Sequence, residues 1–350
     1  MKKFTLAFLL LIIIHSLGFS QKKDSIIVIK SNEHKAENFF NNAVKSYESK
    51  AYDDAINYLQ LSIAENNQYP DAYFLLSMIH KEKGNYKDAI HTLHDYLLVN
   101  EQKDTAYYFI AEIYYLENNL DYATQYLNLC LENNAKFQNA YYFQSKIHFE
   151  KAEYENAIYN LTKVLEIQSD FAPAFNDRGS ANRMLGNYEE AFADYTRAIL
   201  IAKQPIYYNN RGSVNMKLEK YKEAIEDYTE ALKLDSTYYL ALNNRGIAKI
   251  ETKNYIGAIE DFILCLEIKN NYYSAISNRG IAYYKAKKYK EAINDFNTLI
   301  AINPSDGNNY LHRGNTKEML RDKEGACEDW KKAAELGVES AKKYVTNECK

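Results

Sequence analysis

The chain has 350 residues, 47% of them hydrophobic, enough for a sizeable core and for more than one domain on length alone. With 43 basic against 47 acidic residues the net charge is −4, which removes the electrostatic case for a nucleic-acid partner. Four prolines and twelve glycines leave little room for long loops, and thirty-three tyrosines need a structural home.

The first twenty residues read as an export leader. Lys2 and Lys3 precede a short apolar run, Ala7 to Ile14, and "HSLGFS" follows with the small residues Gly18 and Ser20, so cleavage is expected after Ser20. The run is too short to span a bilayer, and His15 interrupts it. No Cys lies near the cut, which argues against a lipid-anchored lipoprotein; a retained signal anchor is the alternative. Loss of Lys2 and Lys3 leaves 41 basic against 47 acidic residues. Residues 21–35 lie outside the pattern that follows and are expected to be a mobile lead-in, although its "IIVI" could pair with an exposed edge.

From residue 36 the chain repeats itself. Arg-Gly recurs at residues 178, 211, 245, 279 and 313, at spacings of 33, 34, 34 and 34. Alignment on it exposes nine segments, starting at Ala36, Pro70, Asp104, Gln138, Ala172, Pro205, Tyr239, Tyr273 and Gly307. Position 8 is always small: Ala43, Ser77, Ala111, Ser145, then Gly179, Gly212, Gly246, Gly280 and Gly314. Position 20 is Ala in all nine, and position 17 is Tyr in all but Leu120 and Lys323. Apolar residues recur at helical spacing on both sides of position 15, where Gly84 and Gly186 stand. Each segment therefore reads as two antiparallel helices brought close by the small residues, with neighbouring segments burying each other's faces.

The 34-residue period, the small residue at position 8, the Tyr at position 17, the Ala at position 20 and Pro304 at position 32 resemble the tetratricopeptide repeat family over residues 36–340. The family's usual large residue at position 4 and Leu at position 7 are only partly kept. The resemblance implies an all-α fold: a right-handed superhelical solenoid of tetratricopeptide helix hairpins whose first helices line a concave groove. Residues 338–350, with Val338, Ala341, Tyr344 and Val345 in a stripe, read as a C-terminal capping helix.

In repeats five to nine, Arg at position 7 is matched by Asp at position 23: Arg178/Asp194, Arg211/Asp227, Arg245/Asp261, Arg279/Asp295 and Arg313/Asp329. Repeats one to four lack both, and position 24 switches with them, from Leu59, Leu93, Leu127 and Leu161 to Tyr195, Tyr228, Phe262, Phe296 and Trp330. Residues that appear and vanish together are expected to touch, as a structural ion pair crossing the two helices within one repeat or between neighbours. A row of cationic ligand sites is the other reading.

If the family geometry holds, positions 5, 6, 9 and 12 of the first helices face the groove. In the second half, positions 5 and 6 hold Asn176-Asp177, Asn209-Asn210, Asn243-Asn244, Ser277-Asn278 and Leu311-His312. An amide ladder offers a donor and an acceptor at each step and suits an extended peptide; solvated, self-capped amides are the alternative. In the first half, Phe40, Phe74, Tyr108 and Tyr142 occupy position 5, joined by Tyr47, Tyr115 and Phe149 at position 12. Such rings either line a binding surface or, the reading favoured here, pack into the seams between repeats.

The sequence carries no phosphate loop, GxGxxG, HExxH or GxSxG motif. His91 and His94, with His80 in the preceding helix, lack a further obvious ligand, so no metal or cofactor is expected. Cys130 and Cys265 share core position 27 four repeats apart and are expected to be buried free thiols. Cys327 and Cys349 lie in the last repeat and the cap, and export would favour a disulfide between them.

The expected function is that of an exported, non-catalytic scaffold, periplasmic or extracellular, which holds a protein partner as an extended segment in the groove. A glycan-binding envelope protein and a structural spacer that uses the convex face are the alternatives.

Overall fold

Among the described residues ten have left-handed backbone; one, Gly337, precedes the C-terminal helix, and the other nine set the architecture of the repeats. They are Lys50, Gly84, Asn118, Ala152, Gly186, Glu219, Lys253, Lys287 and Arg321, position 15 of every repeat, with φ between 57° and 82°. At each, the N–H of position 16 reaches the carbonyl of position 11, as in Glu153 to His148 at 2.8 Å and Lys220 to Asn215 at 2.8 Å. This is the Schellman ending, which turns a helix back on itself in a single residue. Only two of the nine are Gly, so seven turns hold a side chain in the conformation that glycine tolerates best.

A computed structural model describes residues 27–349, and it divides into two compact units. The unit ending at Phe137 holds three helix pairs: α1 (Ile27–Glu48) with α2 (Tyr52–Glu65), α3 (Pro70–Glu82) with α4 (Tyr86–Val99), and α5 (Asp104–Leu116) with α6 (Leu120–Asn133). The unit from Gln138 holds six: α7 (Gln138–Glu150) with α8 (Tyr154–Ile167), α9 (Ala172–Leu185) with α10 (Tyr188–Ile201), α11 (Pro205–Lys217) with α12 (Tyr221–Leu234), α13 (Tyr239–Glu251) with α14 (Tyr255–Ile268), α15 (Tyr273–Lys285) with α16 (Tyr289–Ile302), and α17 (Gly307–Met319) with α18 (Lys323–Glu335). The cap, α19 (Glu339–Glu348), packs on α18. No strand occurs among the described residues.

The first helix starts at Ile27, ahead of the expected repeat boundary at 36, so residues 27–35 extend α1. A helix already nucleated over residues 36–48 lengthens at one backbone bond per added residue, which favours continuation into the lead-in. The export leader, its cut after Ser20 and the start of the lead-in lie outside the described residues.

The core follows the repeat. All nine alanines at position 20 have no exposed surface, from Ala55 to Ala326. The largest fully buried side chains are Trp330, Tyr195, Tyr228, Phe262 and Phe296, which are position 24 of repeats five to nine. In the second unit, first helices of consecutive repeats touch more extensively than second helices do, so the first-helix face is the inner side of that stack.

Candidate functional site: the first-helix face

The five Arg-Asp pairs close within single repeats. Each guanidinium lays Nε and Nη2 on the carboxylate of its Asp, at 2.9 Å and 2.7 Å for Arg245–Asp261 and at 2.9 Å and 2.6 Å for Arg313–Asp329. The carboxylates are 2–8% exposed and the guanidinium side chains 17–23%. Burial pushes the Asp227 carboxyl up, and its bonds to Arg211 and Asn215 oppose that push. Two features escape sequence reading. Position 11 supplies a second donor to the same Asp: Asn215 at 2.9 Å, Lys249 at 2.8 Å and Lys317 at 2.9 Å. The third guanidinium nitrogen crosses to position 25 of the preceding repeat, from Arg178 to Thr162 at 3.1 Å, Arg211 to Thr196 at 3.2 Å, Arg245 to Thr229 at 3.2 Å and Arg313 to Asn297 at 2.7 Å. These four guanidinium groups are engaged on both sides, as fasteners within and between repeats and not as an open cationic row.

The Arg279–Asp295 pair differs from the other four in what supports it. Asp295 is buried and accepts from Arg279 Nε at 2.9 Å and Nη2 at 2.7 Å, so the expected ion pair is present. Its supports differ. Position 11 of this repeat is Tyr283 in place of Asn or Lys, and the Tyr283 ring lies 5.9 Å from the Arg279 guanidinium. Position 25 of the preceding repeat is Ile263, which has nothing to accept with. The bond from Arg279 to Asp295 therefore fastens one repeat only.

The switch at position 24 has a steric cause. A Cβ on Gly212 would stand 2.8 Å from Tyr228 Cε1, and one on Gly280 would stand 2.9 Å from Phe296 Cε1. Glycine at position 8 therefore admits an aromatic ring at 24, whereas Ala or Ser at 8 goes with Leu. Position 9 completes the set. Ser213 gives its hydroxyl proton to the Asn209 carbonyl at 2.9 Å, and so accepts from the Tyr228 hydroxyl at 3.3 Å. Ser180 is placed likewise against Tyr195, and Asn315 accepts from Trp330 Nε1 at 2.8 Å. Where the ring is Phe262 or Phe296, with no polar tip, position 9 is Ile247 or Ile281.

The amide ladder is present but points along the stack. Asn210 donates to Asn176 at 2.9 Å, Asn244 to Asn209 at 3.0 Å and Asn278 to Asn243 at 3.0 Å, each joining position 6 of one repeat to position 5 of the one before. Tyr142 starts the series, donating to Asp177 at 2.5 Å. Burial raises the Asp177 carboxyl and also the Tyr142 hydroxyl. Asn176, Asn209 and Asn243 are 9%, 7% and 4% exposed, which corrects the expectation that both rows face a ligand. A buried amide must find a partner, and the nearest is the next repeat. The position-6 row, Asn210, Asn244 and Asn278, stays half-buried. His312 departs from the row: its ring lies flat on Phe296, centroids 5.4 Å apart, and burial lowers its pKa.

The position-5 rings pack mainly on the aromatic residue that ends their own repeat. In the first unit Phe40 meets Tyr69 edge-on at 5.3 Å, Tyr108 meets Phe137 at 5.4 Å, and Phe74 meets Phe109 of the next repeat at 4.9 Å. In the second, Tyr142 meets Phe171 at 5.4 Å. At position 12, Tyr47 packs on Tyr52, and Phe149 on Tyr154. These rings are half-buried seam residues, and Phe40 and Phe74 sit against the apolar clusters of the first unit.

His91 faces Asp95 at 3.8 Å and His94 faces the Tyr126 hydroxyl at 3.4 Å; among the described residues no cluster of metal-ligating side chains occurs. Cys130 and Cys265 are each fully buried, and burial pushes their thiols up to about 12 and about 11. Cys327 and Cys349 are joined as a disulfide, with Cα atoms 5.5 Å apart. Beside it Tyr344 of the cap stacks on Trp330 at 4.9 Å.

Models of the tetratricopeptide repeat family match residues 46–108, 172–205, 205–238 and 273–306. The chain is a tandem tetratricopeptide repeat protein. A tetratricopeptide repeat protein from Parabacteroides merdae ATCC 43184 superposes with a TM-score of 0.54 at 18% identity, over 71% of this chain and 99% of its own. Cut9–Hcn1 of the APC/C hetero-tetramer gives 0.54 at 13% identity, over 90% of this chain and 76% of its own. PilW, a type IV pilus biogenesis factor, gives 0.53 at 16% identity, over 59% and 96%. At these identities the likeness concerns the tetratricopeptide fold alone. Comparison with curated proteins finds no match.

Proposed function

We propose that this tetratricopeptide protein is an exported, non-catalytic scaffold that holds a protein partner as an extended segment along the first-helix face of its second unit. The observation that carries the reading is the half-buried row Asn210, Asn244 and Asn278. Each uses one amide N–H to grip the preceding repeat, which fixes its position and leaves the other N–H for a ligand. A face ordered before binding loses little conformational entropy on binding. The two amide rows divide the work: the buried one spaces the repeats, and the half-buried one can meet a peptide backbone. Export rests on the leader at residues 1–20 and is supported by the Cys327–Cys349 disulfide, a bond that persists in oxidising compartments.

The test is site-specific photocrosslinking in the source cells. A photoreactive residue at the exposed first-helix positions Lys217 and Glu251 is compared with one at the exposed second-helix positions Glu226 and Glu260. The proposal expects a protease-sensitive adduct from the first pair only. Adducts from the second pair alone would support the convex-face spacer instead, and a protease-resistant adduct would support a glycan ligand.

A further inference from the structure

The amide ladder ends at Asn278, and an apolar opening begins there. Between repeats eight and nine the first-helix face holds a depression of about 250 Å³ lined by Ile281, Tyr284, Lys285, Phe296, His312 and Asn315. Its origin is local. Position 6 of repeat nine is His312, stacked on Phe296, and not the amide that links Asn210, Asn244 and Asn278 to their neighbours. Position 9 of repeat eight is Ile281, since Phe296 has no polar tip to satisfy. Two departures from the ladder on one seam leave an aromatic and aliphatic hollow in an otherwise amide-lined face.

The rim is basic. Lys285 stands at the mouth, and the turn beyond it carries Lys287, Lys288 and Lys290. All four are exposed, and none makes an ion pair among the described residues. Glu291 is the one acidic residue between Tyr284 and Ala292, and Glu318 of the next repeat also lies near Tyr284. Unpaired cations beside an apolar hollow are complementary to an acidic chain that carries one large apolar side chain. The volume suits a single aromatic ring system, and buried aromatic anchors dominate the energetics of such contacts.

We infer that this hollow is an anchor site for an acidic peptide segment, taking one aromatic side chain between Tyr284 and the Phe296–His312 stack while its flanking carboxylates meet Lys285 and Lys288. The inference rests on the proposed peptide-holding face and names the chemistry of what it holds at this end.

The experiment is fluorescence anisotropy with the purified full chain and three fluorescein-labelled peptides of equal length. The first has a central Trp flanked by Asp and Glu, the second has Ala for Trp, and the third has Lys for the acids. The first is expected to bind at least about tenfold more tightly than either of the others, and to weaken as salt rises from about 0.05 to about 0.3 M. Lys285→Glu together with Lys288→Glu should weaken it about tenfold, and these exposed substitutions leave the core untouched. Tyr284→Ala should remove the preference for Trp over Ala, with circular dichroism to confirm the fold. Equal binding of the Trp and Ala peptides, no binding of the first peptide, or Trp-dependent binding that the Lys285 and Tyr284 variants leave unchanged would each overturn the anchor site. The peptide-holding face is judged separately: crosslinks from Lys217 that persist in the Lys285→Glu variant leave it standing even if the anchor fails.

Discussion

Phe262 lies so close to Gly246 that a carbon added to that glycine would sit 2.6 Å from the ring's Cε1. The same contact recurs at Gly212 and Tyr228 and at Gly314 and Trp330. In repeats one to four the same positions hold Ala or Ser opposite Leu, as in Ala43 and Leu59. Gly246→Ala should therefore destabilise the protein by about 1–3 kcal/mol, the range for overpacking a close-packed core. Phe262→Leu opens space, so the double variant Gly246→Ala/Phe262→Leu should be more stable than the sum of the single effects predicts. Urea denaturation of the full cycle reads the coupling, and strictly additive effects would contradict the pairing.

The Arg245 guanidinium fastens Asp261 within its repeat and Thr229 in the repeat before. Arg245→Ala leaves a carboxylate that is 2% exposed with Lys249 as its remaining charged partner, and should cost about 3 kcal/mol. Thr229→Val removes the cross-repeat bond together with the hydroxyl's own bond to the Ile225 carbonyl at 2.7 Å, and should cost about 1 kcal/mol. A melting temperature nearly unchanged in Arg245→Ala would show that the pair adds little.

Ala152 holds φ at 57° in the turn between α7 and α8. A left-handed non-glycine residue costs roughly 1–2 kcal/mol, partly offset by the unfolded-state entropy that glycine adds. Ala152→Gly should therefore raise stability by about 0.5–1 kcal/mol, whereas Gly186→Ala, at φ 82°, should lower it. Matched denaturation curves with the same sign for both substitutions would contradict the assignment.

The cap is held by the packing of its buried Ala341, by the Trp330–Tyr344 stack and by the Cys327–Cys349 bond. Closing a loop of 22 residues by a disulfide contributes about 3 kcal/mol in the chain-entropy view. Cys349→Ser should speed amide exchange in α19 and change the fluorescence of Trp330, the chain's single tryptophan, while exchange in α9 to α14 stays unchanged. Equal exchange of α19 in both proteins would show that packing alone holds the cap.

Cys265 and Cys130 give a pH dependence of known sign. Their unfolded thiols ionise near 9.0, while burial holds the folded ones up to about 11 and about 12. The unfolded chain releases these protons first, so the stability they contribute is complete below about pH 9 and falls as pH rises toward those values. The urea midpoint should drop as pH rises from about 9 toward about 11, and drop less in Cys130→Ala/Cys265→Ala. An identical drop in both proteins would assign it to other groups, such as the tyrosines.

Much of the architecture was legible because a repeat is a comparison made nine times within one chain. Small residues at position 8, Ala at position 20 and Tyr at position 17 announced paired helices, and the joint appearance of Arg178 to Arg313 with Asp194 to Asp329 announced a contact. Register along a helix is periodic, so residues sharing a face can be read from spacing alone. Four things needed tertiary structure. The Schellman turn is a backbone state, and seven of its nine residues lack the glycine that would have marked it. Asp295 pairs with the same Arg as its counterparts but lacks their supports, because Tyr283 and Ile263 stand where the other repeats place polar groups. The direction of Asn176, Asn209 and Asn243 depended on the gap to the next repeat, a distance that no spacing within one helix encodes. The hollow beside His312 arises where two departures meet on one seam, because shape between repeats comes from how neighbouring side chains fill space together and not from any one of them.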